Sequence, residues 1–302
     1  MRFKSIDEIM AMAAARKSAK TVAIAAAESD HVLEAARMAA EDGFIKPLLI
    51  GDRDKLRSML DGMQWHLDES RILHAGDADT CAQMAVQLVK EGAADFMMKG
   101  RLNTAELLRA VLNKITGLPH GPLVTQLTFV DIADYHKIFG MSDAAIVPYP
   151  TLEQKAMQIE LLVEALQTLG YGDDIKVGLL CAVENVSPKM PETEVAQELK
   201  RMNQRGEIKG CIVEGPISFD IAMDREVARV KGFDSPVAGD VDILIMPNLV
   251  TGNVLAKALN MFGNTRTVGS VLGAGAPISI TSRAASARTK YQSLALTSAI
   301  VR

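Results

Sequence analysis

The sequence predicts an α/β protein of mainly parallel sheet, divided into two domains. Short apolar runs of strand length alternate with helical patterns along nearly the whole chain. Glycines such as Gly43 and Gly92 close the helical patterns, as C-caps do. The alternation lapses between about Phe129 and Pro150, where Pro148-Tyr149-Pro150 breaks the chain. Alternation implies helical crossovers and parallel pairing, and the lapse implies the division.

Taken in order, Ile6, Ile9, Met10 and Ala13 keep helical spacing and predict a first amphipathic helix. Thr21–Ala27 reads as a buried strand and Asp30–Asp42 as a helix. Strand Lys46–Ile50 follows, ended by Gly51-Asp52, then a helix to about Leu60 and a short strand at Arg71–His74. Asp77–Glu91 reads as a helix, Ala94–Met98 as a strand and Thr104–Lys114 as a helix. Beyond it, Pro122–Val130 and Ala144–Val147 read as strands and Leu152–Leu169 as a helix. Strands at Ile175–Val183, Gly210–Val213 and Val241–Met246 alternate with helices at Glu192–Gln204, Asp224–Arg229 and Asn253–Phe262. A strand at Pro277–Ile280 and a final helix from Ala284 to about Ile300 end the pattern.

With 302 residues, 48% hydrophobic and 23% charged, the balance is that of a soluble globular chain. Aromatics are 4%, so the core is aliphatic. A net charge of −4 argues against general nucleic-acid binding. Cys81, Cys181 and Cys211 form no CxxC pair, which suits a reducing cytosol. No apolar run reaches membrane-spanning length. The histidines show no metal-ligand spacing, and no P-loop, GxGxxG or GxSxG pattern occurs. Asp240 and Asp242, at i and i+2, share one side of a strand and read as a solvated pair at a sheet edge, with a cation site as the alternative.

Charge is sorted along the chain. After Asp242 there is no Asp or Glu, while Lys257, Arg266, Arg283, Arg288, Lys290 and Arg302 follow. Ile278–Arg283 reads as a strand running into a helix, with Arg283 and Arg288 near the helix start. The macrodipole disfavours cations there. An anion between cation and helix end resolves the conflict, so the segment reads as a phosphate site; a solvated basic face is the alternative.

Three more strand ends carry polar turns, where ligands of open α/β sheets sit. Lys99-Gly100 precedes a helix opened by Thr104; Lys99 is either an anion contact or a solvent-facing lysine. Glu184–Pro191 presents Asn185, Ser187 and Lys189, as a site or as a capped loop. Pro247–Asn253 presents Thr251, Gly252 and Asn253 at a helix opening, as ligand contacts or as caps.

In this order the pieces resemble the phosphate acetyl/butyryltransferase family, and most of all its shorter, butyryltransferase branch. The resemblance rests on Met98–Thr104 with Leu107–Leu112, Ser142–Ala145 with Pro148, and Glu184-Asn185 with Pro188–Pro191. It continues through Glu214–Pro216 with Phe219–Ala222, Asp234–Gly239, Pro247–Leu249 with Gly252, Asn253 and Lys257, and Thr281–Arg283. It covers about residues 94–302; the first ninety match in layout.

The resemblance implies reversible transfer of a short-chain acyl group between coenzyme A and inorganic phosphate. It implies two α/β domains with an interdomain cleft, an isocitrate/isopropylmalate dehydrogenase-like fold. By that analogy residues 1–141 plus 272–302 form the first domain and 142–271 the second. It implies Ser282 and Arg283 as catalytic residues and Lys99, Gly100, Thr104, Asn185, Lys189 and Asn253 as substrate-binding ones. It implies no metal and no permanent cofactor, coenzyme A being a substrate, and a cytoplasmic homodimer or higher homo-oligomer. One departure stands out. The family carries an acidic residue shortly after the Ser-Arg pair; here Ala284–Lys290 has none, so Asp143 or Glu184 is the candidate to assist the thiol. Alternatives are a non-catalytic acyl-CoA or acyl-phosphate binding paralogue and a metal-dependent dehydrogenase on the same fold.

Overall fold

A computed structural model describes residues 2–16 and 18–301. The chain divides into two compact units. The terminal unit comprises Asp7–Pro122 and the chain from Val268 onward; the central unit comprises the segment up to Ile6 and Leu123–Thr267.

After α1 (Ile6–Ala14), the terminal unit alternates β1 (Lys20–Ala25), α2 (Asp30–Glu41), β2 (Ile45–Gly51) and α3 (Arg53–Gly62). β3 (Ile72–His74), α4 (Ala78–Lys90), β4 (Phe96–Lys99) and α5 (Thr104–Val111) follow. β1 pairs in parallel with β2 and β4, and β2 with β3. Both faces are covered, so the strands read as continuous apolar runs: Val22, Ala23, Ile24 and Ala25 are fully buried. Asp52 and Asp77 cap α3 and α4, each accepting from first-turn amides. Gly43 and Gly92 adopt φ of +79° and +74°, the left-handed C-cap use expected of them.

The central unit begins with β5 (His120–Ile132) and β6 (Phe139–Ser142), an antiparallel pair. α6 (Leu152–Thr168), β7 (Ile175–Leu180), α7 (Pro191–Gln204), β8 (Cys211–Ile217), α8 (Phe219–Met223) and α9 (Arg225–Val230) follow. β9 (Ile243–Ile245) and α10 (Leu249–Phe262) complete it. Its strand order is β5-β6-β9-β7-β8, parallel beyond β6.

β10 (Thr265–Ala274), β11 (Ile278–Ser279) and α11 (Ala287–Ile300) then return the chain to the terminal unit. There the strand order is β3-β2-β1-β4-β11-β10, with β11 parallel to β4 and antiparallel to β10. α11 is buried on nearly every side. Its Leu294 and Ala295 join Ala35, Ala36 and Ala39 of α2 in one core cluster, where small side chains allow close approach. At its end, Arg16 donates to the carbonyls of Ser298 (2.7 Å) and Val301 (3.1 Å), and also to that of Ala299. Carbonyls that a helix end leaves without intrahelical donors are thereby satisfied.

Several sequence expectations are revised. Ala144–Val147 is not a strand: Asp143 Oδ1 accepts from the amides of Ala145 (2.6 Å) and Ile146 (2.8 Å) and folds the segment into a turn. α10 opens at Leu249, not Asn253, because Asn248 accepts from the Thr251 amide as the N-cap. α11 opens at Ala287, not Ala284, with Ser286 as N-cap. Asp242 is not a solvated carboxylate. It is 1% exposed and accepts from Arg2 Nε (3.0 Å), Lys137 Nζ (2.6 Å) and the Lys176 amide (2.9 Å). Burial opposes ionisation of Asp240, yet hydrogen bonds from Lys137, Lys176 and His136 hold its carboxyl well below the usual range. The sequence divides the domains after residues 141 and 271, whereas the units meet after 122 and 267. β5 and β6 pair with each other and β6 pairs with β9, which ties residues 123–142 to the central unit.

Candidate functional site

In the terminal unit β1, β4 and β11 run parallel, so their carboxyl ends lie on one side. Lys99 ends β4, and Thr281, Ser282 and Arg283 follow β11. Lys99 is 3% exposed. Its ammonium donates to the carbonyls of Leu102 (3.1 Å) and Gly100 (3.4 Å). Lys290, in the first turns of α11, is 2% exposed and donates to Ser282 O (2.9 Å) and Thr281 Oγ1 (3.1 Å). Arg283 donates to Asn103 Oδ1. Among the described residues, none of these three cations has a carboxylate within ion-pair distance.

Burial, and then the charges of Lys290 and Arg283, push the Lys99 ammonium down to about 8, against a smaller opposing pull from Glu106. Burial also lowers Lys290. Buried cations without counter-ions are costly unless a ligand supplies the charge. A 420 Å³ cavity opens here, lined by Gly100, Arg101, Lys55, Arg283 and Lys290, with Glu28 and Asp30 as its carboxylates. Glu28 already accepts from the Asp52 amide at 2.7 Å.

The structure thus brings together Lys99, Gly100, Ser282 and Arg283, with Thr104 as the first residue of α5 beside them in sequence. Gly100 is needed for a reason internal to the chain: a Cβ there would stand 2.1 Å from Ala26 O and 2.5 Å from Ala25 O. Asn103 and Lys290 went unrecognised in the sequence. Asn103 caps α5, donating to the Glu106 carboxylate through its backbone amide and its Nδ2, and its side-chain oxygen accepts from Arg283. Its helix-capping type was legible; its second bond was not. Lys290 stood among the tail's basic residues without a sign that it is buried.

Asn185, Lys189 and Asn253 belong to the central unit. Asn185 and Lys189 are exposed in the loop between β7 and α7, which Thr193 braces by accepting from the Ser187 amide at 2.9 Å. Asn253 lies inside α10 and donates to Ala144 O at 3.0 Å. The two carboxylates considered for the thiol are both occupied. Asp143 takes two further donors, Thr125 Oγ1 (2.7 Å) and the Gln126 amide (3.1 Å). Hydrogen bonds from Ser218, and less from Lys231, hold Glu184 below the usual carboxylate range despite some burial. Among the described residues no group of three or more His, Cys, Asp or Glu is placed to hold a metal ion, and no helix is long and apolar enough to cross a membrane.

The family model described as "Phosphate acetyl/butaryl transferase" matches residues 78–298. Phosphate butyryltransferase of Clostridium acetobutylicum is 39% identical over 293 residues, 97% of this chain and 97% of that protein. Phosphate acetyltransferase of Thermotoga maritima is 37% identical over 282 residues, 93% of this chain and 95% of that protein. A branched-chain phosphotransacylase from Enterococcus faecalis superposes with a TM-score of 0.80 at 30% identity, over 93% of this chain and 99% of that one. A 4-hydroxythreonine-4-phosphate dehydrogenase from Burkholderia phymatum reaches 0.52 at 13% identity. The expected isocitrate/isopropylmalate dehydrogenase-like fold is therefore corrected to the phosphotransacylase fold. Strand–helix alternation fixes the kind of layers, which many folds share, but not element lengths and connections. The chain belongs to the phosphate acetyl/butyryltransferase family and, with it, is a phosphate acyltransferase.

Proposed function

We propose that the chain transfers a short-chain acyl group, butyryl or acetyl, reversibly between coenzyme A and inorganic phosphate, with Ser282 and Arg283 at the reacting centre. One observation carries the assignment of the site: Lys99, Arg283 and Lys290 converge at strand carboxyl ends without a counter-ion.

In the direction of acyl-phosphate formation, a phosphate oxygen attacks the thioester carbonyl carbon. The tetrahedral intermediate then expels the coenzyme A thiolate, which takes up a proton. Arg283 holds the phosphate through two N–H groups. The Ser282 hydroxyl donates to the oxyanion. Lys99 and Lys290 balance the phosphate charge. Gly100 shapes the β4 turn and Thr104 opens the helix behind it. Asn185, Lys189 and Asn253, all in the central unit, are read as substrate-binding residues. A thiol with a pKa near about 8.5 needs modest help at neutral pH, so the missing acidic residue slows the reaction rather than abolishing it. Positioning in a ternary complex supplies the remainder.

The three cysteines are free and buried, which supports the cytosol as the working compartment. A homodimer or higher homo-oligomer belongs to the reading; exposed Val250, Val254, Met261 and Phe262 along α10 support it. The test is coenzyme A release from butyryl-CoA and acetyl-CoA by the folded protein, with and without phosphate. Phosphate-dependent release is the expected result; none from either thioester would overturn the assignment.

A further inference from the structure

The central unit has its own cavity of 780 Å³, distinct in its lining from the cationic site of the terminal unit. Its walls are apolar, with Leu180, Val195, Phe219, Val254 and Leu255 among them. The amino ends of three long helices reach it: Lys155 lies in the first turns of α6, Pro191 and Glu192 open α7, and Asn248 caps α10. Each such end carries partial positive charge. Lys155 is 6% exposed, yet among the described residues its ammonium makes no hydrogen bond or ion pair. Burial lowers its ammonium, against weaker opposing pulls from Cys181 and Glu192. A lysine at a helix amino end, sunk in apolar surroundings and left without an acceptor, is unfavourable on three counts. One ligand group answers all three.

We propose that this cavity binds an aliphatic monocarboxylate, its carboxylate on the Lys155 ammonium and its chain along the apolar walls. A single cation matches a single negative charge. Glu192 on the same cavity disfavours a dianion such as phosphate. The apolar lining rewards a hydrocarbon tail, and the volume falls in the range of small-molecule sites.

The test is calorimetric titration of the full chain with hexanoate, hexan-1-ol and acetate, without coenzyme A or phosphate. Its outcome is thereby independent of transferase activity. Hexanoate is expected to bind at one site, at least about tenfold more tightly than either the uncharged alcohol or the tail-less acid. Lys155→Met is expected to lose at least about tenfold in hexanoate affinity. Val195→Trp, which fills the groove and keeps the lysine, is expected to lose it too. Equal binding of hexanol and hexanoate, unchanged affinity in folded Lys155→Met, or no hexanoate binding up to about 10 mM overturns the inference.

Discussion

Lys99 sits where burial and neighbouring cations oppose its charge more than two carbonyl acceptors and Glu106 favour it. Its folded value of about 8 lies below the ordinary 10.5, so the folded state resists its protonation. That cost is present below pH 8 and fades as pH rises towards 10.5. A phosphate dianion reverses the preference, because it binds the ammonium form. Phosphate affinity is therefore expected to be full below about pH 8 and to fall above it, in calorimetric titrations from pH 7.5 to 9.5. Lys99→Met is expected to flatten that dependence; a flat wild-type profile contradicts the assigned contact. For Arg283, replacement by alanine is expected to lower kcat by about 10²-fold or more, with Lys restoring only part, since a lysine lacks the planar two-pronged donor. Lys99 and Arg283 were legible as candidates because cations at strand ends and helix starts are conspicuous. The burial of Lys99, and the hold of Asn103 on Arg283, depend on which loops meet, and no local pattern encodes that.

Helix beginnings were legible to within a residue at α2, α4, α5, α6, α7 and α9 and were misplaced at α10 and α11. Each starts with several polar residues able to cap, and the choice among them is made by the bonds the side chain finds. Asn248 wins over Asn253 in α10, and Ser286 over the earlier Thr281 and Ser282 in α11. The shift leaves Arg283 ahead of α11, in the turn after β11. Ser286 Oγ accepts from the Thr289 amide at 3.2 Å. Ser286→Ala is expected to cost about 1 kcal/mol, lowering Tm by about 2–4 °C. Because α11 also carries Lys290, phosphate affinity is expected to weaken in the same variant; an unchanged melting curve contradicts the cap. Strands with long apolar runs were read correctly, since burial on both faces writes itself into sequence. The turn at Asp143 was not, because Ala144, Ile146 and Val147 look like a strand until the Asp143 carboxylate is seen to claim the amides after it.

At the scale of the molecule, the carboxylate-free tail is what the sequence displays most openly. Its partners come from far earlier in the chain. Tyr291 donates to Asp42, Arg266 to Asp131, and Arg288 approaches Asp7 at 3.8 Å. Tyr291–Asp42 and Arg288–Asp7 join the two distant stretches of the terminal unit, while Arg266–Asp131 lies within the central unit. The central unit has its own long-range tie in Asp242, which joins Arg2 to β6–β7–β9 neighbours. Removing that charge leaves Lys137 with one carboxylate in place of two, Asp240 at 2.7 Å, and takes the only buried carboxylate from Arg2 among the described residues. Asp242→Asn is expected to cost about 3 kcal/mol, read as faster hydrogen exchange across β7 and β9. An exchange pattern equal to wild type contradicts the tie.

The uncompensated cations also bear on handling at the bench. A protein with such a concentration of like charge is expected to be least stable in buffers without a divalent oxyanion, chloride–Tris among them. Phosphate, or sulfate as its mimic, is expected to raise the melting temperature by mass action in proportion to the logarithm of its concentration. Purification in phosphate would then deliver a sturdier protein whose proposed phosphate site is already filled.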